Sequence, residues 1–167
     1  MSRGRPYWYR RFRGAALSFL IAALVWTVII VLPWAPFSYL PPIMVGGGPG
    51  TWFVLGYVLF LAVGVGGLGA LSGFLTGVEV TEGRSVDQRT MWPGMILLSA
   101  GTAGSCLLLA AAGAVGGYAT TYGTSSGNSV DSLLSPYVDP ITALVLVAVI
   151  GAGLAVLSTV RARWPSA

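Results

Sequence analysis

Side chains that could carry out chemistry are scarce in this 167-residue chain, and their types exclude several kinds of site. There is no histidine, which is the commonest imidazole metal ligand and the usual general base. The single cysteine, Cys106, can form neither an intramolecular disulfide nor a multi-thiolate metal site. Serine–histidine or cysteine–histidine catalysis is therefore impossible within the chain. We expect no catalytic residue, no metal site and no bound cofactor.

A few polar residues remain as candidates. Ser99, Thr102 and Ser105 recur at helical spacing and would lie near one face of a helix, where they could line a small polar path. Each hydroxyl can instead bond to the backbone of its own helix, and we favour that interpretation. Asp131 and Asp139 could serve a membrane enzyme at the outer surface. That alternative is the weakest, because Asp139 directly precedes a proline, as a helix N-cap does, and no partner base is evident.

Four long apolar runs must position these side chains, and the one charged residue within them is Asp139, near the start of the last run. They cover residues 14–32, 51–76, 92–117 and 138–160, and each has the length of a helix that crosses a hydrocarbon layer of ~30 Å. With 55% hydrophobic and 8% charged residues, the sequence predicts an all-α, integral membrane four-helix bundle. We expect one transmembrane domain over residues 1–167, multi-pass in the cell membrane. The first run is longer than the core of a signal peptide, so we expect it to be retained.

Arginines provide all nine positive charges, and they fall on one side of the predicted bundle. They precede the first run, separate the second from the third, or follow the fourth: Arg3, Arg5, Arg10, Arg11, Arg13, Arg84, Arg89, Arg161 and Arg163. Because short arginine-rich loops stay cytoplasmic, both termini are predicted to be cytoplasmic. The same side chains would contact anionic lipid headgroups, so the net charge of +4 does not indicate nucleic-acid binding.

Glycines recur at every fourth position in two of the predicted helices. Gly69, Gly73 and Gly77 share one stripe of the second helix, and Gly113 and Gly117 repeat the spacing in the third. Such a stripe lets another helix approach to backbone distance, so we expect helix packing there, within the chain or with a partner. Compositional bias is the alternative explanation, but it would not favour every-fourth spacing.

Aromatic residues flank the first predicted helix and mark candidate membrane-interface or partner-docking positions. The candidates are Trp8, Arg10 and Arg11 before the helix, and Trp34, Phe37 and Tyr39 in the proline-rich loop after it. Tryptophan and tyrosine favour the headgroup level, and nearby arginines can reach lipid phosphates. We favour an ordinary interfacial anchor for the segment before the helix, with docking of a partner or lipid as the alternative.

Loops of different character are predicted to connect the helices. Residues 33–50 contain prolines that interrupt a helix, and they end in a glycine-rich turn. We expect this loop to lie across the outer membrane surface or against a partner, and Thr51 to be the N-cap of the next helix. Residues 78–90 mix both charges and are predicted to be a solvated connection. Residues 118–137 are small and polar and are predicted to be mobile. Pro93 is placed in the first turn of the third helix, so that no proline interrupts a span.

No acidic or basic residue lies in the interior of an apolar run, which disfavours proton-coupled transport and redox chemistry in this chain. We therefore expect a non-catalytic accessory or structural subunit of a larger membrane complex, of which a respiratory or other energy-converting complex is one example. A small homo-oligomeric channel or transporter is the alternative. The expected partners are membrane lipids, together with other membrane subunits or further copies of the chain, and no nucleic acid.

Overall fold

The structure is a computed structural model that describes residues 7–32, 36–123 and 127–162. These residues form helices and no strand, which confirms the predicted all-α class. The α-helices are α1 (Trp8–Val31), α2 (Leu40–Val45), α3 (Gly50–Leu59), α4 (Leu68–Thr76), α5 (Gln88–Tyr122) and α6 (Gly127–Val160). A 3₁₀ turn, Phe37–Tyr39, leads into α2. Two π-helical segments, Phe60–Gly67 and Gly77–Thr81, join α3 to α4 and extend α4, so that Gly50–Thr81 forms one continuous helix, called the second span below.

Within the described residues, four helices are long and apolar enough to cross a membrane, which fits the predicted four-helix bundle and a multi-pass membrane protein. They are α1, the second span, α5 and the part of α6 from Val130 onward. The four predicted runs lie within these helices apart from Leu32, which follows α1. In the most apolar window of α5, 44% of residues are buried, against 17% in α1 and in α6. The bundle is therefore built around α5.

The second span changes its neighbour halfway along its length. Its first part, α3, packs against α5, whereas α4 packs against α1. Glycine allows both contacts: a methyl group on Gly56 would come within 2.7 Å of the Cys106 carbonyl oxygen, and one on Gly64 would overlap the Phe19 ring. The segment Phe60–Gly67, where the change occurs, is π-helical. Local π-helical turns alter the direction in which later side chains point.

Helices α5 and α6 pack along an antiparallel seam of small residues. The seam consists of Met91, Gly94, Leu98, Gly101 and Ser105 on α5, facing Ala148, Gly151, Ala155 and Ser158 on α6. A methyl group on Gly101 would come within 2.5 Å of the Ala148 backbone nitrogen. The alternating spacing of three and four residues keeps the seam on one side of each helix. At the glycines, which have no side chain, the two backbones approach closely.

The proline-rich loop after α1 folds back onto its own bundle in the part that the structure describes. Leu40 and Ile43 of α2 are buried, and Ile43 packs against Gly117. The glycine-rich turn that follows has positive φ at Gly47 and Gly48, where other residues would be strained. The prediction that Thr51 caps the second span is wrong, because the helix already begins at Gly50 and the Thr51 hydroxyl donates to the Gly48 carbonyl at 2.6 Å.

Helix ends on both sides differ from the sequence-based expectation. Helix α5 begins at Gln88, so Pro93 lies inside it rather than in its first turn. Helix α6 begins at Gly127, so Asp139 is not its N-cap and the proline after it is also inside a helix. Much of the loop predicted over residues 118–137 is therefore helical. The apolar runs mark the hydrocarbon layer, whereas the helices continue beyond it into more polar sequence.

Candidate interaction surfaces of the bundle

One end of the bundle carries every arginine that the structure describes. Trp8 of α1 meets both Glu79, near the end of the second span, and Trp92, near the start of α5. Arg84 in the following loop bonds to the carbonyl of Ala162, just after α6. This arginine-bearing end therefore brings together the start of α1, the loop 78–90, the start of α5 and the end of α6, as the arginine distribution predicts.

Glu79 completes the first turn of α1. Its carboxylate accepts the backbone N–H groups of Trp8 and Tyr9, both at 3.1 Å. Helix α1 has no side-chain cap of its own at Tyr7, so these donors would otherwise lack a helical partner. The negative carboxylate also complements the positive end of the helix dipole. A further bond, from the Ser72 hydroxyl to the Tyr9 carbonyl at 2.9 Å, joins α4 to the same turn.

Two other charged residues of the loop also serve helix ends. The Arg84 guanidinium donates to the Ala162 carbonyl at 2.6 Å, after the last turn of α6. The Asp87 side chain is the N-cap of α5, accepting from the Arg89 backbone N–H and the Thr90 hydroxyl, both at 3.1 Å. Much of this connection is exposed, as a solvated loop would be, but its charged side chains also have structural partners that the sequence does not reveal. The loop holds three helix ends together, since its charges sit where backbone groups need partners.

Arg11 lies between two indole rings. Its guanidinium carbon is 4.7 Å from the Trp8 ring centre and 4.9 Å from that of Trp92, within the range of cation–π attraction. The two indoles meet edge to face at 5.8 Å. Trp8 is buried, so it packs within the bundle more than an ordinary lipid anchor would. Trp92 was not among the candidate residues, because nothing in the local sequence relates it to Arg11.

The other aromatic and arginine candidates do not share this cluster. Arg10 is exposed and donates to the Tyr9 hydroxyl at 3.1 Å. At the opposite end of the bundle, Phe37 is 39% exposed, and Tyr39 packs edge to face on Tyr118 at 5.6 Å. Trp34 lies outside the described residues.

The candidate glycines separate into two groups. Gly113 and Gly117 are buried, and added methyl groups there would overlap Phe53 and Ile43. No other helix in the described part of the chain covers the stripe of Gly69, Gly73 and Gly77: a methyl group at any of the three would meet nothing within 4 Å beyond its own helix backbone. The Gly69–Gly73–Gly77 stripe thus lies on the surface of the bundle. Its role as a packing surface for a partner helix stays a prediction.

Among the polar residues of α5, Thr102 and Ser105 are buried and Ser99 is half-buried, and not all of their hydroxyls are hydrogen-bonded. The Ser105 hydroxyl donates to the Thr102 carbonyl at 3.2 Å, as the structural interpretation predicts. The hydroxyls of Ser99 and Thr102 have no hydrogen-bond partner among the described residues. Thr102, Ser105 and Cys106 line a cavity of about 230 Å³ between α5, α6 and the second span. This cavity was not expected from the sequence.

A larger groove of about 600 Å³ opens between α1 and α5, where the second span separates them. Aromatic rings of Phe19, Trp26, Phe53 and Phe60 and a row of alanines on α5 line it. The Thr27 and Tyr57 hydroxyls, 2.6 Å apart, hold α1 to the second span nearby. The groove follows from the change of neighbour in the second span, which no local sequence pattern reveals.

Within the described ranges, no three His, Cys, Asp or Glu side chains lie close enough together to hold a metal ion. The described residues instead form three surfaces that could contact a partner or lipid: a bare glycine stripe, an arginine-bearing end and an apolar groove. No protein-family model, curated protein or solved structure matches this chain.

Proposed function

We propose that this chain is a non-catalytic subunit of a larger membrane complex, in which the Gly69–Gly73–Gly77 stripe is the contact for a transmembrane helix of another subunit. The observation that carries the proposal is that this stripe is uncovered: apart from the helix's own backbone, no atom of the described residues lies within 4 Å of a methyl group added to any of the three glycines. The protein would be multi-pass in the cell membrane, with both termini in the cytoplasm, because short arginine-rich loops are retained there.

Glycine elsewhere in the bundle mostly has a packing role, which makes the bare stripe unusual. Beside Gly94, Gly101 and Gly151, the backbone of the other helix in the α5–α6 seam occupies the space that a side chain would need. A glycine inside a helix costs about 1 kcal/mol relative to alanine. In lipid, helices associate through close packing rather than through the hydrophobic effect, and small residues permit that packing. Three glycines on one lipid-facing stripe are therefore best explained by a helix that covers them.

The non-catalytic part of the proposal rests on composition. The chain has no histidine, and four of its five acidic residues lie outside the apolar runs, while Asp139 is the second residue of the last run. A respiratory or other energy-converting complex is one assembly in which such a subunit would serve, because catalytic groups there can reside in other chains.

The first experiment is affinity purification of the tagged chain from native membranes in a mild detergent, with mass spectrometry of what accompanies it and a visible absorption spectrum. We expect a stoichiometric larger membrane subunit. Haem bands would have to come from that partner, since this chain lacks histidine. Recovery of the chain alone, or of a pure homo-oligomer, would overturn the proposal.

Paired variants then locate the contact. Gly73→Leu places a bulky side chain on the stripe, and Gly153→Leu is its control, because Gly153 on α6 is equally exposed with nothing within 4 Å. Both variants should fold as the wild type does. We expect Gly73→Leu to lose the partner and Gly153→Leu to retain it. Equal recovery of the partner by both variants would show that the stripe is not the contact.

A homo-oligomeric channel or transporter is the second candidate, and one observation favours it. The two unpartnered hydroxyls, Ser99 and Thr102, are unusual inside a membrane helix, and Thr102 borders the 230 Å³ cavity. Prolines also lie inside α5 and α6, contrary to the sequence-based expectation, and the second span contains a π-helical segment. A homo-oligomer in the purification, together with solute flux in vesicles that Thr102→Val abolishes, would favour this candidate.

A further inference from the structure

A polar cavity of about 390 Å³ lies at the arginine-bearing end, where α5 begins and α6 ends. It is lined by Ser85, Val86, Asp87, Arg89 and Arg161. Its two arginines are 72 positions apart in the sequence: Arg89 lies in the first turn of α5, and Arg161 directly follows α6. The volume is roughly a dozen times the ~30 Å³ that one water molecule takes up, so the cavity has room for a polar group of several heavy atoms.

The cavity has an excess of positive charge. The carboxylate of Asp87 is already used, since its two oxygens accept from the Arg89 backbone N–H and the Thr90 hydroxyl. In the part of the chain that the structure describes, the one ion pair joins Arg84 to Glu82. Neither Arg89 nor Arg161 therefore has a carboxylate within 4 Å among the described residues. Two guanidinium groups facing one occupied carboxylate favour an anion.

The position of the cavity relative to the hydrocarbon layer indicates which kind of anion it would bind. Val160, directly before Arg161, is 72% exposed, and Trp92, one turn after Arg89, is 45% exposed. Exposed apolar side chains at these positions belong in hydrocarbon or at its edge, and tryptophan favours the edge. Arg89 and Arg161 then follow at the level of the lipid headgroups, where arginine side chains reach phosphates.

We propose that this cavity binds the phosphate-bearing headgroup of an anionic phospholipid, with Arg89 and Arg161 as its ligands. A guanidinium donates paired hydrogen bonds that match phosphate oxygens, and two of them can hold one phosphodiester from both sides. The proposal is independent of the subunit function, because it needs no partner protein. Free phosphate shares the same chemistry, so the test must separate the two sources.

The test compares thermal unfolding of the full chain in nanodiscs of phosphatidylcholine alone and in nanodiscs that also contain phosphatidylglycerol. We expect phosphatidylglycerol to raise the Tm of the wild type. The double variant Arg89→Gln/Arg161→Gln should keep the wild-type Tm in phosphatidylcholine but lose this increase. The control is Arg10→Gln/Arg13→Gln, which removes the same charge from two exposed residues of α1 outside the cavity and should keep most of the increase.

Each contrary result has a definite meaning. Equal loss in both double variants would show a general surface-charge effect and overturn the site, as would a wild type that does not respond to phosphatidylglycerol. An equal increase caused by inorganic phosphate in phosphatidylcholine nanodiscs would assign the cavity to a free anion instead.

A second measurement needs no variant and therefore cannot fail through misfolding. The wild type is cross-linked to phosphatidylglycerol with a photoreactive headgroup, and the modified peptides are mapped. We expect modification at residues 85–92 and around Arg161. Modification confined to α1 would overturn the proposal.

Discussion

The carboxylate of Glu79 accepts the backbone N–H of Trp8 at 3.1 Å, although 71 residues separate the two. It is the cap that α1 lacks locally, because Tyr7 makes no side-chain bond to the first turn. The start of the first membrane helix is therefore completed by the end of the second. This arrangement couples the formation of α1 to its packing against the second span.

Replacing Glu79 should thus destabilise the protein more than replacing an ordinary charged residue at the surface does. Glu79→Ala removes both acceptors of the first turn, and we expect a loss of about 1–2 kcal/mol, the usual range for a helix cap. The control is Glu82→Ala, which removes an exposed partner of Arg84 and should cost less than about 1 kcal/mol. Reversible unfolding in detergent measures both. Equal losses would show that Glu79 is no more than a surface charge.

The α5–α6 seam gives a second prediction about stability. A methyl group on Gly101 would come within 2.5 Å of the Ala148 nitrogen and 2.7 Å of the Leu144 carbonyl oxygen, and neither backbone atom can move freely. We expect Gly101→Ala to cost about 1–3 kcal/mol, as overpacking does. Gly153→Ala is the control, because its methyl group meets nothing within 4 Å and alanine favours the helix by up to about 1 kcal/mol. We expect the free energy of unfolding to fall in Gly101→Ala and to stay the same or rise in Gly153→Ala. A Gly101→Ala protein as stable as the wild type would show that the two helices pack less closely in the seam than the structure indicates.

The sequence predicts the helices of this fold well, for a physical reason. A membrane helix must be apolar over its whole crossing and satisfy its own backbone, so length and hydropathy identify it without knowledge of its neighbours. The grouping of the arginines at one end follows equally from local composition. Gly113 and Gly117 were recognised from spacing alone, since contact at backbone distance requires glycine on one stripe.

Contacts between helices could not be predicted in the same way. Every face of a membrane helix is apolar, so hydropathy does not reveal that the second span packs first on α5 and then on α1. The spacing that identifies Gly113 also identifies Gly73, yet only Gly113 is buried by the chain. Charged loop residues such as Glu79 look solvated because their partners, the unpaired groups of helix ends, leave no mark in the sequence.

The Arg11 cluster leads to a third prediction. Its guanidinium lies 4.7 and 4.9 Å from two indole centres, and each such contact contributes about 0.5–1 kcal/mol where water is partly excluded. Arg11→Gln should therefore lower the free energy of unfolding by about 1 kcal/mol. Arg13→Gln removes the same charge from an exposed position outside the cluster and should leave stability nearly unchanged. Similar losses for both variants would assign the effect to net charge rather than to the two rings.

Orientation in the membrane can be tested with single exposed cysteines. Cys106 is buried at 2% exposure, so the wild type serves as the unlabelled control for a membrane-impermeant maleimide. Thr81→Cys lies at the arginine-bearing end, and Ser135→Cys lies near the start of α6 at the opposite end; both positions are exposed. Because arginine-rich loops stay in the cytoplasm, intact cells should label Ser135→Cys alone, and permeabilised cells should label both. The reverse pattern would place the arginines outside and would contradict the cytoplasmic assignment of both termini.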